Sequence, residues 1–125
     1  MFFVIERHIN NIMATIKRFC GSTLYEINNG MMKEFCGGYI YELCGNTIKR
    51  FCGPSKYEIN GDCIKDFCGP TLLEVRGDTI RRFCGGTIAE IRGNTIKEFC
   101  GPTLYEIQGT LSHQEMMMLI AVLFA

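Results

Sequence analysis

The sequence has no tryptophan, three prolines and two histidines, and thirteen basic side chains balance thirteen acidic ones over its 125 residues. A neutral chain lacks the positive field that holds nucleic acid and the negative field that mimics it, so no nucleic-acid partner is expected. His8 and His113, its two near-neutral bases, stand at opposite ends of the chain and suggest no paired acid–base site. There is no Cys-x-x-Cys pair, so the common structural zinc signature is missing. Long apolar runs are missing too. Met1 to Ile5 is stopped by Glu6, short of a secretory core. The charge-free run Met116 to Ala125 would rise about 15 Å as a helix, half a bilayer's hydrocarbon thickness. A cytoplasmic chain without membrane contact is the expectation.

What the sequence has instead is glycine, fourteen of them, and a repeat. From Thr15 to Thr110 one sixteen-residue unit recurs six times without insertion. Its first half is typified by Thr47-Ile-Lys-Arg-Phe-Cys52 and its second by Leu104-Tyr-Glu-Ile107. Each half is about six residues rich in Ile, Phe, Tyr and Thr, bounded by Gly, the pattern of a short strand. Such an array buries the apolar side chains of each unit against its neighbours. The chain divides accordingly into an N-terminal capping segment (1–14), the six-fold array (15–110) and a C-terminal apolar helix (111–125).

Two topologies suit a sixteen-residue unit. One is an antiparallel meander of six hairpins, about twelve short strands; the other is a parallel β-solenoid with one coil per unit. Gly-Asn, Gly-Asp and Asn-Gly pairs between units suit the two-residue turns of antiparallel hairpins, and Gly-Ser, Gly-Pro and Gly-Gly within units read the same way. With two-residue turns throughout, Lys17, Glu26, Lys33, Glu42 and their successors form one continuous row of opposite charges, which favours the meander. A second charged column, Arg18, Glu34, Arg50, Asp66, Arg82 and Glu98, alternates in sign from unit to unit and lends the solenoid partial support.

In the meander register each face of the ribbon has a greasy stripe. One holds Ile16, Ile27, Met32, Ile48 and their equivalents; the other holds the phenylalanine column. Stripes of this length exceed what monomers usually leave in water. The sheet must curl on itself, receive the terminal segments or pair with another copy. Ser112 and Glu115 have capping-box spacing ahead of an all-round apolar helix, which must be buried in its own array or in another chain. Phe3 to Ile9, with Asn10-Asn11 as a turn, is expected to add a strand at one edge. Six of the eight cysteines fall on one repeat position and read as reduced, small hydrophobes. The half-repeats Gly93-Asn-Thr-Ile-Lys97 and Thr103-Leu-Tyr-Glu-Ile107 resemble those of uncharacterised bacterial proteins built from short tandem β repeats. That resemblance covers about three quarters of the chain; it implies an all-β array and assigns no residue a role.

The function expected from these features is that of a non-enzymatic structural or interaction protein which associates with itself, as an oligomer or filament. The residues expected to carry the contact are Phe19, Phe35, Phe51, Phe67, Phe83 and Phe99 on the sheet, and Met117, Leu119, Ile120, Leu123 and Phe124 on the helix. The alternative is a module that offers a repetitive β face or edge to a different protein. No cofactor or metal is expected.

Overall fold

The computed structural model describes residues 13–125; the expected N-terminal strand and turn lie outside the described residues. Each unit contributes a four- or five-residue strand and a six-residue strand. In the first unit these are β1 (Ala14–Arg18) and β2 (Thr23–Asn28), and the series runs on through β3 (Met31–Glu34), β4 (Tyr39–Cys44), β5 (Thr47–Arg50), β6 (Ser55–Asn60), β7 (Cys63–Asp66), β8 (Thr71–Arg76), β9 (Thr79–Arg82), β10 (Thr87–Arg92), β11 (Thr95–Glu98) and β12 (Thr103–Gln108). All pairings are antiparallel and consecutive, and β1 also pairs with β12, with Ile16 opposite Ile107 and Lys17 opposite Glu106. The sheet is a closed barrel. The solenoid is thereby excluded, and the meander is corrected from an open ribbon to a cylinder.

The physical reason lies in the hairpins. Between units the expected two-residue turns form: Asn29 and Gly30 both have positive φ, and Gly45, Gly61, Gly77 and Gly93 occupy the first position of their turns at φ of 59–63°. These hairpins pair Glu26 with Lys33 and Glu42 with Lys49, as a plain two-residue loop requires. Within units the connection is different. β1 stops at Arg18 and β2 begins at Thr23, the Gly21 N–H donates to the Arg18 carbonyl, and Cys20 sits at φ 55°. This is a type II turn with Phe19 and Cys20 at its corner, followed by a bulge between Ile16 and Lys17. Thr15 therefore faces Glu26, where the plain turn would have brought Lys17.

The slip is two residues, an even number, so every side chain keeps its expected face. Repeated in each unit, it staggers the ladder by two residues per unit, and six units supply the shear that a twelve-stranded barrel needs to tilt and close. Without the slip the ribbon would have no stagger.

One stripe becomes the lining. Ile16, Met32, Ile48, Ile64, Ile80 and Ile96 are fully buried, joined by Ile27, Ile59, Leu73, Val75, Ala89 and Ile107. Twelve antiparallel strands at about 4.8 Å spacing enclose a cylinder roughly 22 Å across, too wide for wall side chains alone to fill. The helix α1 (His113–Phe124) occupies the lumen. Its residues Met117 to Ala121 are five in succession and at most 1% exposed. At 100° per residue they point in every direction, so the helix is enclosed all round. A helix about 10–12 Å thick leaves room for one layer of side chains against the wall.

The helix enters at the mouth formed by the between-unit turns. Ser112 accepts from the Glu115 N–H and Glu115 accepts from the Ser112 N–H, completing the capping box. The second oxygen of Glu115 accepts the Gly30 N–H at 2.8 Å, and Gln114 bonds Asn46 across the same mouth. In this lumen the helix can only run along the barrel axis, toward the within-unit turns.

Leu119→Ala, which opens a cavity between helix and wall, is expected to lower the unfolding free energy by about 2–5 kcal/mol in urea denaturation. Glu115→Ala, which strips acceptors from the Ser112 and Gly30 N–H groups, is expected to cost about 1–3 kcal/mol in the same measurement.

Candidate functional site

Closure separates the expected contact residues into two groups. Met117, Leu119 and Ile120 are buried in their own barrel, and Leu123 and Phe124 are half-buried against the same core. The phenylalanines do the reverse: Phe19, Phe35, Phe51, Phe67, Phe83 and Phe99 are 38–51% exposed. They stand on the outer side of the rim at the within-unit mouth. Each donates its backbone N–H to a residue of the neighbouring unit, Phe35 to the Leu24 carbonyl and Phe51 to that of Ile40. These bonds fix six aromatic rings at even intervals round the barrel. Tyr39 packs against Phe51 with ring centroids 5.2 Å apart.

The cysteines overturn the small-hydrophobe reading. Cys20, Cys36, Cys52, Cys68, Cys84 and Cys100 are exposed, free and held at φ between 55° and 59°. Each is the third residue of its type II turn, a position that favours Gly or Asn. The glycine after it is fixed by space. A Cβ on Gly69 would come within 2.8 Å of the Asp66 Cβ, and one on Gly53 within 3.1 Å of the Arg50 Cβ. The Phe-Cys-Gly motif is thus the turn that supplies the barrel's stagger, with its thiol turned to solvent.

Just inside the same rim stands the second charged column. Arg18, Glu34, Arg50, Asp66, Arg82 and Glu98 end the odd-numbered strands on the inward-facing register, opposite Tyr105, Tyr25, Tyr41, Tyr57, Leu73 and Ala89. Arg50 lies over the Tyr41 ring, 5.8 Å from its centroid. The column ends in a ring of six charges of alternating sign round the mouth. No ion pair within 4.0 Å joins any two of them among the described residues.

The outer wall uses the first charged row, and here the slipped register corrects the expected continuous chain of pairs. The cross-strand ion pairs among the described residues lie across the unslipped hairpins and the closing ladder, Lys17–Glu106, Lys33–Glu26, Lys49–Glu42, Lys65–Glu58, Arg81–Glu74 and Lys97–Glu90, while Arg76 and Arg92 pair along their own strands with Glu74 and Glu90. Within units Lys17 meets Thr23 and Lys33 meets Tyr39. The Lys49 ammonium, donating at 2.9 Å, holds the Glu42 carboxyl below its ordinary value, and Lys65 at 2.8 Å does the same to Glu58. Glu42 in turn raises Lys49. The strands, at four to six residues, are shorter than the nine to eleven typical of strands that cross a bilayer. No helix among the described residues is long and apolar enough to cross a membrane.

Comparison with known proteins found no matching family model, curated protein or solved structure.

Two outcomes follow from this geometry. Gly69→Ala is expected to destabilise the fold by about 1–3 kcal/mol, whereas Cys68→Gly, which removes a side chain from a left-handed position, leaves stability within about 1 kcal/mol or raises it; thermal unfolding of the two variants distinguishes them. For the ion pairs, carboxyls held low stabilise the fold above the ordinary carboxylate pKa and lose that contribution as pH falls through their folded value. A lysine held high stabilises below the ordinary lysine pKa and loses it above. The melting temperature is therefore expected to be flat near neutrality and to fall below about pH 4 and above about pH 10.5, with the acid limb reduced in Glu42→Gln/Glu58→Gln.

Proposed function

We propose that this protein is a non-enzymatic structural or interaction module that associates with itself through the phenylalanine ring at one mouth. The observation that carries the reading is the exposure of six phenylalanines at a single rim. Together they leave in water roughly 500–600 Å² of aromatic surface, at the upper end of what a monomer carries. Covering that ring on both copies removes about 1,000–1,200 Å² from water, at the lower bound of a specific interface, with the rim charges adding to it.

Two other properties favour this reading over its alternatives. The lumen is filled by α1, which takes the space where barrels of this width hold a ligand. The closing pairing of β1 with β12 removes the free sheet edge, so edge addition by a foreign strand, one form of the binding-module reading, has no place on the closed barrel.

In light scattering coupled to size exclusion, the protein is expected to elute with the mass of an oligomer at about 10 µM. Phe19→Ser/Phe51→Ser/Phe83→Ser is expected to shift it to monomer while leaving its far-UV spectrum unchanged. A chain that remains monomeric to about 100 µM, or a variant that associates as the parent does, contradicts the proposal.

A further inference from the structure

We infer that the partner at this mouth is a second copy of the same chain, docked head to head across a two-fold axis and registered by the alternating charge ring. This rests on the self-association reading and specifies its geometry.

The six charges follow one another round the barrel in sequence order as Arg18, Glu34, Arg50, Asp66, Arg82 and Glu98, each two strands from the next. All lie at one rim, five of them exposed and Asp66 half-buried. Within a single barrel the alternation achieves little. Neighbours two strands apart are separated by about 10 Å or more, beyond the screening length of about 8 Å at physiological salt. Across an interface the same pattern is decisive. A two-fold axis lying in the plane of the mouth, between two neighbouring positions, carries every charge onto one of opposite sign. With the axis between Arg18 and Glu34, those two face each other's copies, Arg50 faces the second copy's Glu98, and Asp66 faces its Arg82. A ring of a single sign would repel its copy, and a ring without alternation would set no register.

The rest of the rim suits the same arrangement. The phenylalanines surround the charges on the outer side, an apolar border placed to screen the ion pairs from water, and the exposed turn thiols share that rim. The opposite mouth lacks both features: its turn tips carry Asn46, Asp62, Asp78 and Asn94, and it is where α1 enters. Only like mouths match, so the association is isologous and closes at a dimer rather than growing into a filament.

The test is a charge exchange. Arg18→Glu/Arg50→Glu/Arg82→Glu makes the ring wholly acidic, and Glu34→Arg/Asp66→Arg/Glu98→Arg makes it wholly basic. Each variant alone is expected to dimerise at least about 100-fold more weakly than the parent, and an equimolar mixture is expected to restore a one-to-one heterodimer, read by light scattering and native mass spectrometry. The parent protein supplies an independent measurement: its dimer dissociation constant should rise about ten-fold or more between 0.05 and 0.5 M NaCl. Parent dimers with salt-insensitive affinity, variants that associate as the parent does, or folded variants that fail to pair when mixed each overturn the head-to-head register while leaving self-association standing. A parent that is monomeric throughout overturns the self-association reading itself.

Discussion

The type II turn within each unit, with the bulge beside it, advances the hydrogen-bond ladder by two residues, and the remaining architecture depends on that step. Plain two-residue hairpins at every connection would have left a ribbon without stagger. Six equal steps tilt the strands and bring β12 back to β1 in register. Closure then fixes the diameter, and the diameter creates a lumen too wide for the wall's own side chains. The apolar helix at the end of the chain fills it. Stagger, closure and plug form one sequence of physical necessity, each step producing the problem that the next resolves.

The wall is nearly six-fold symmetric, while the helix within it has no such symmetry. The isoleucine column, which forms the base of the lining, is almost constant, interrupted only by Met32. The column opposite the charged ring varies in size instead: Tyr25, Tyr41, Tyr57, Leu73, Ala89 and Tyr105. Leu73 and Ala89 are completely buried and Tyr57 nearly so. A regular repeat can enclose an irregular plug when one column changes volume from unit to unit, since interior packing tolerates neither voids nor overlap. The Glu115 bond to Gly30 and the Gln114 bond to Asn46 hold the helix end to one side of its mouth, in keeping with that unevenness.

The two charged columns show how similar patterns acquire different roles through position. The Lys/Glu row lies on the outer wall, where the five unslipped hairpins and the closing ladder turn it into six separate cross-strand pairs. The Arg/acid column lies at the rim, with its neighbours too distant to pair within the chain. The first stiffens the barrel, and the second forms no ion pair among its own members in the described residues. Sequence reasoning had both columns in view; what it lacked was the rim that turns the second into a ring.

The residues alone determined the repeat, the strands and the capping box; they favoured the antiparallel sense, with its two-residue turns between units and its sorting of side chains to two faces, and left the solenoid for the structure to exclude. All of these follow from local chemistry and from the two-residue periodicity of a strand. An even register slip conserves that periodicity, which is why the faces were legible while the pairing of Lys17 with Glu26 was not. Tertiary structure decided what is set by closure: which stripe became core, where the helix lodged, and that the turn cysteines point to water at positive φ. A sum of small register steps over twelve strands leaves no mark on any single repeat, and it becomes a barrel only when the two ends meet.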